Sequence, residues 1–265
     1  MRLWRAMRHD LLASRELAWR LFVRNISARY RQTALGYAWA ILPPIFTTFV
    51  FVFLRNVGFF QVADTQVPYA AFVLAGMVLW QTFTDALNSP LRMVTGSVSM
   101  LTKVNFPREA LILVGVWEVL FSFFIRFIVL VLVVLWFGVP IPWTAVLFPI
   151  GALCLVGLGI MLGVLLTPLG VLLQDIGQGL PFLALLWMFL TPVLYAPTES
   201  WPGSLTMTIN PVSPVLDTAR AWLLTGSPEY FTGFLTVSLI TLAGLLCGWV
   251  LYRLALPILI ERMSA

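Results

Sequence analysis

The chain has 265 residues, of which 60% are hydrophobic and 10% charged, with Lys+Arg 16 against Asp+Glu 11. A water-soluble domain carries about 25% charged residues, so this composition excludes one and predicts an all-α integral membrane protein forming a single transmembrane domain over residues 1–265. The single lysine, Lys103, has no Gly-rich loop before it, which excludes a phosphate-binding loop, and one histidine with two cysteines in apolar runs supplies no metal set.

Residues 14–31 open the chain's order of elements. At about 100° per residue, Trp19, Phe22, Val23, Ile26 and Tyr30 fall on one stripe while Arg20, Arg24, Ser27 and Arg31 fall on another. That pattern predicts a helix lying on the membrane surface with its arginines toward lipid phosphates or a partner. No uninterrupted apolar core precedes Gln32, so the segment is not expected to be a cleaved signal.

A spanning helix needs about 20 apolar residues. Six stretches qualify: residues 32–54, 65–84, 110–136, 143–167, 176–198 and 230–252. The third and fourth are separated by Gly138-Val139-Pro140-Ile141-Pro142, where two prolines predict a turn. Residues 199–229 hold Asn210-Pro211, Ser213-Pro214, Asp217 and Arg220, which predicts a re-entrant helical hairpin between spans five and six rather than a seventh crossing. Eight arginines precede residue 36, and Arg253 and Arg262 lie near the other end, so the positive-inside rule puts both termini in the cytoplasm and the span count at an even number.

Charges inside spans are costly and therefore informative. There are three: Asp85 at the end of the second span, and Glu118 and Arg126 in the third. Glu118 and Arg126 stand eight residues apart on one helix, too far to meet, so Arg126 is expected to find Asp85 or a backbone carbonyl. No catalytic set emerges, and the three are read as structural ion pairing first and a transport role second.

Aromatic residues make up 14% of the chain. Phe46, Phe49 and Phe53 recur at helical spacing on span one, Trp80 and Phe83 sit on span two, and Trp187 and Tyr195 on span five. Most aromatics in such a protein face lipid or its interface. Those seven are the candidates for a substrate path, because sugar rings stack their C–H faces on aromatic rings without needing charge. Residues 92–109 form the longest expected cytoplasmic connection, within which 95–109 is a candidate coupling loop. Phe106, Pro107, Arg108 and Lys103 make its tip suited to dock in another protein.

Four stretches together carry a resemblance. Tyr30-Arg31-Gln32-Thr33-Ala34-Leu35-Gly36-Tyr37 running on to Pro43-Pro44, the segment from Phe72 to Leu87, Leu101-Thr102-Lys103-Val104-Asn105-Phe106-Pro107-Arg108, and the segment from Pro181 to Tyr195, ending Phe189-Leu190-Thr191-Pro192-Val193-Leu194-Tyr195 and followed by Asn210-Pro211, occur in this order and at these depths. The chain thereby resembles the permeases of ABC polysaccharide exporters, which serve O-antigen, capsule and teichoic acid. The resemblance covers nearly the whole chain.

It implies a homodimer of six-span subunits in the bacterial inner membrane, an interface helix carrying Arg20, Arg24 and Arg31 toward a lipid-diphosphate headgroup, and a coupling helix around Lys103 to Arg108. By the same implication two separate ATPase subunits bind ATP and Mg, while this chain binds no cofactor, is no enzyme, and moves an undecaprenyl-diphosphate-linked glycan. One departure is Leu173-Gln174-Asp175-Ile176, where the family carries arginines around the acid; Asp175 remains as a coupling candidate. Two other readings compete: an ABC permease for a hydrophobic drug or lipid, and an ion-coupled secondary transporter. The secondary carrier is disfavoured because spans one to three and four to six show no mutual repeat.

Overall fold

The computed structural model describes residues 2–31, 36–59, 65–97, 109–197 and 203–264. Among them every regular element is helical. In chain order these are α1 (Arg2–Arg31), a 3-10 turn (Gly36–Ala40), α2 (Leu42–Asn56), α3 (Tyr69–Gly96), α4 (Glu109–Trp136), a second 3-10 turn (Trp143–Leu147), α5 (Phe148–Leu172), α6 (Gln174–Leu190), α7 (Gly203–Ile209), α8 (Val212–Leu224) and α9 (Phe231–Ser264).

Four helical stretches are long and apolar enough to cross a membrane: Tyr69–Gly96, Glu109–Trp136, Trp143–Leu172 and Phe231–Ala255. The other two expected spans are shorter, α2 with 15 residues and α6 with 17. Proline explains one end of each. Pro43 and Pro44 occupy the first turn of α2, where a missing N–H costs nothing, and the preceding residues coil as the 3-10 turn instead of continuing the helix. At the far end of α6 the backbone turns extended at Thr191, the residue before Pro192.

The central element is α3. It packs on α2, α4, α5 and α8, and from Tyr69 to Trp80 every residue but Ala70 is buried. Close approach to α5 depends on two glycines one turn apart on α5. A Cβ on Gly159 would stand 2.7 Å from both the Ala86 methyl and the Phe83 carbonyl oxygen, and one on Gly163 would collide with the Leu87 carbonyl oxygen. Small residues at such a crossing let backbones meet, which matters in lipid because hydrocarbon competes equally for every larger apolar side chain.

Two apolar clusters divide the bundle lengthwise. One joins α1 (Ala18, Leu21) to the last turns of α3 (Met93, Val94), the first turns of α4 (Ala110, Leu111, Val114) and Tyr252 of α9. The other surrounds α8 and the opposite half of α3. The first end therefore holds Arg92 of α3 and Arg253 of α9, with Arg20 and Arg24 on the α1 segment that packs there, whereas Arg55 and Arg220 lie over Tyr69 and Phe72 of the second.

One sequence expectation is corrected: α3 continues through Arg92 to Gly96, so Arg92 is helical and not part of the connection after span two. On α1 the expected apolar stripe divides, with Trp19 and Val23 exposed and Ile26 buried, while Ala18 and Leu21 are also buried; the Tyr30 side chain lies outside the described residues.

Residues 199–229 contain two short helices broken at Asn210-Pro211. Of the 13 residues of α8, only Ala221 is not buried, so the polar groups of Ser213, Asp217, Thr218 and Arg220 lie inside protein.

Candidate functional site

Each of the three charges predicted inside spans has a partner. Arg126 on α4 stands 2.7 Å from the Asp85 carboxylate of α3 and donates through Nε to the Ala40 carbonyl oxygen at 3.0 Å. The guanidinium thus joins α3, α4 and the 3-10 turn ahead of α2. Removing one partner of such a buried pair leaves an uncompensated charge, which is the expensive case.

Glu118, one of the buried acids on α4, pairs with different groups. One of its oxygens accepts from Asn25 Nδ2 of α1 at 2.9 Å, and the other lies 3.3 Å from the Arg92 guanidinium of α3. Glu118 is therefore a pin through α1, α3 and α4. Asn25 was not singled out in the sequence, although a polar residue inside an apolar helix stripe is the signal that would have marked it. Around this pin Trp19 and Phe22 of α1 pack edge-on to Trp117, with ring centroids 5.5 and 6.0 Å away.

The interface-helix arginines are exposed. Arg20 bridges Glu16 at 2.6 Å within α1, and Arg24 donates to Asn25 Oδ1 at 3.3 Å. Arg31 is exposed at the last residue of the helix. Asp175, in the first turn of α6, is exposed at the same end of the bundle, beside the last turn of α5. Lys103, Phe106, Pro107 and Arg108 lie outside the described residues. The helices that flank them end at Gly96 and begin at Glu109, at that same end.

The seven aromatic candidates divide into two environments. Trp80, Phe83 and Trp187 form one cluster, with Trp187 set edge-on to Phe83 at 5.4 Å and to Trp80 at 6.3 Å. Trp80 and Phe83 are buried by α3's own neighbours, and Trp187 is half-buried at the cluster's outer side. Phe46, Phe49 and Phe53 line the outer face of α2, with 68%, 65% and 57% of their surface exposed. Tyr195 lies past the end of α6 and donates to the Phe189 carbonyl oxygen at 3.2 Å.

Asn210 ties the aromatic cluster to the hairpin. Its Oδ1 accepts from Trp187 Nε1 and from the Val212 amide, each at 3.0 Å, and its Nδ2 donates to Thr191 Oγ1 at 2.8 Å. Arg220 of α8 makes a parallel connection on the other side. It is buried, bridges Asp217 one turn earlier, donates to the Pro192 carbonyl oxygen at 2.8 Å and lies 3.7 Å from the centre of the Phe72 ring. The i, i+3 spacing of Asp217 and Arg220 in an otherwise apolar segment was the available sequence signal. Among the described residues no group of three His, Cys, Asp or Glu side chains is placed to hold a metal ion.

Among the described residues the buried charged groups pair with one another and with backbone carbonyls across helices. The arrangement offers a basic end, helices pinned by buried polar groups, and an aromatic face pointing outward. Comparison with known proteins gives it a family. Residues 16–224 match the family described as ABC-2 type transporter. The chain is similar to the O-antigen export system permease protein RfbA of Myxococcus xanthus, with 27% identity over 216 residues that cover 80% of this chain and 82% of that protein. Two Klebsiella pneumoniae proteins of the same name share 23% identity over 212 residues, covering 78% of this chain and 80% of the relative, and 24% over 234 residues, covering 84% and 86%. The chain belongs to the ABC-2 type transporter family.

Proposed function

We propose that, as an ABC-2 type transporter, this chain is the membrane subunit of an ATP-driven exporter of lipid-linked polysaccharide, of the O-antigen, capsule or teichoic-acid kind. Two copies work with two separate ATPase subunits, which bind ATP and Mg. The names of the curated relatives favour a glycan over a drug, and membership of an ABC family favours ATP over an ion gradient as the driving force.

The observation that carries the reading is the exposed aromatic row Phe46, Phe49 and Phe53 on α2. Three rings at helical spacing present a continuous stacking surface, and a polymer wider than the space inside one subunit needs a path bounded by surfaces of this kind from two copies. The sorting of basic residues supports cytoplasmic termini in an inner membrane, with the interface helix at that surface. In this orientation α2 and α6 complete six crossings and α7 and α8 dip from the outer side. Burial of nearly all of α8 meets the condition for non-spanning backbone at membrane depth.

Exposed Arg20, Arg24 and Arg31 attract a diphosphate headgroup, and the ATPases act through the connection between α3 and α4 and through Asp175. The test is to purify the permease with its partner ATPase and identify the bound lipid. A co-purifying lipid-linked glycan, with ATP turnover only when the partner is present, supports the reading; turnover by the permease alone, or stimulation by drugs and not by glycan, overturns it.

A further inference from the structure

A cavity of about 180 Å³ lies between α4, α5 and α9, away from the aromatic row and from the hairpin. Ile112 and Leu113 of α4, Ile160 and Val164 of α5, and Leu245 and Gly248 of α9 form its walls. All three helices are long and apolar enough to cross a bilayer. An apolar slot among them opens toward hydrocarbon, and its lining forfeits dispersion contacts unless a chain fills it.

One end of the slot is charged. Glu109, the first residue of α4, lines it and is buried, and its carboxylate stands 3.5 Å from the guanidinium of Arg253 on α9, whose side chain is 31% exposed. Trp249 sits on the same wall, a residue type that favours the headgroup level. A carboxylate and a guanidinium side by side at the mouth of a hydrocarbon slot match a headgroup that carries both a phosphate and a primary ammonium.

We propose that this cavity binds one acyl chain of a phosphatidylethanolamine, with the lipid phosphate accepting from Arg253 and its ammonium donating to Glu109. A choline headgroup has no N–H to donate. A phosphoglycerol headgroup has no cation and turns its negative charge toward Glu109. Gly248 keeps the slot open: a Cβ there would make ordinary contact with Val164 at 3.5 Å and Leu165 at 3.8 Å, and anything longer would extend into the space the acyl chain needs. The inference rests on α4, α5 and α9 crossing a bilayer and not on which substrate is exported, so the two stand or fall separately.

The experiment is native mass spectrometry of the full chain, purified with its ATPase partner and delipidated. Phosphatidylethanolamine, phosphatidylcholine and phosphatidylglycerol with identical acyl chains are then added at equal concentration. Loss of one charge-assisted contact corresponds to about a tenfold change in affinity, so ethanolamine lipid should be retained about tenfold over the other two. Glu109→Gln should abolish that preference, and Gly248→Leu should remove the bound lipid whatever its headgroup. Gly248→Leu leaves the ion pair intact, so it decides the matter if Glu109→Gln does not fold. Equal retention of the three lipids, a preference for phosphatidylglycerol, or unchanged binding by Gly248→Leu overturns the proposal.

Discussion

Arg126 and Asp85 meet at 2.7 Å across the α3–α4 contact, and the same guanidinium holds the Ala40 carbonyl oxygen. The pair fixes the rotation of α4 against α3 and anchors the chain just before α2. Its two members are not equally enclosed, since the Arg126 side chain is 9% exposed and that of Asp85 34%.

Arg126→Leu should therefore destabilise the folded protein by about 1–3 kcal/mol, because it strands the Asp85 carboxylate, one third exposed, and the Ala40 carbonyl together. Asp85→Leu combined with Arg126→Met should recover most of that loss. Thermal unfolding of the purified variants in detergent checks this, and a double variant no better than Arg126→Leu would show that the pair is not the source.

The aromatic candidates should separate by environment. Phe46→Ala, Phe49→Ala and Phe53→Ala remove exposed rings and should change stability by only about 0.5 kcal/mol or less while reducing export. Phe83→Ala opens a cavity in the core and should cost about 3–5 kcal/mol, with export lost through the fold. Membrane level and surface glycan, measured in the same cells, distinguish the two outcomes; normal export from all three α2 variants would leave the row as lipid-facing surface.

Replacing Arg20, Arg24 and Arg31 together by Gln should weaken headgroup capture most at low ionic strength. Each cation near an anionic surface contributes about 1 kcal/mol, and the effect fades within a screening length of about 10 Å at 0.1 M salt. Lipid-diphosphate binding measured at two salt concentrations checks it. Capture that is unchanged at low salt would reduce the row to a topological anchor.

Phe106→Ala should leave insertion intact and cost about 2 kcal/mol or more of ATPase docking if the ring is a hot spot. A pull-down of the ATPase beside a measurement of membrane level reads both. Normal association and export would move coupling to Asp175, which is exposed at the same end of the bundle.

Glu118 and Arg126 show where legibility ended. That a buried charge needs a partner follows from the sequence alone, because the cost of an unpaired ion in hydrocarbon does not depend on the fold. Eight residues of separation already excluded the two from each other. That Glu118 takes Asn25 and Arg92 was not legible, since it needs α1 laid across α3 and α4, a contact between residues 93 apart in the chain.

Long apolar runs, paired prolines and the placement of arginines are local properties, and they determined the membrane class, the helix boundaries near residues 110–136 and 143–167, and the break at Asn210-Pro211. Which face of each helix turns inward is not local. Phe83 and Phe46 are the same residue type in the same kind of helix, yet one is buried and the other exposed. In water an inward face is marked by hydrophobicity, but beside lipid both faces are apolar, and the choice passes to shape. Gly159 and Gly163 admit α3, and the tertiary contacts so permitted decided which aromatics remain outside.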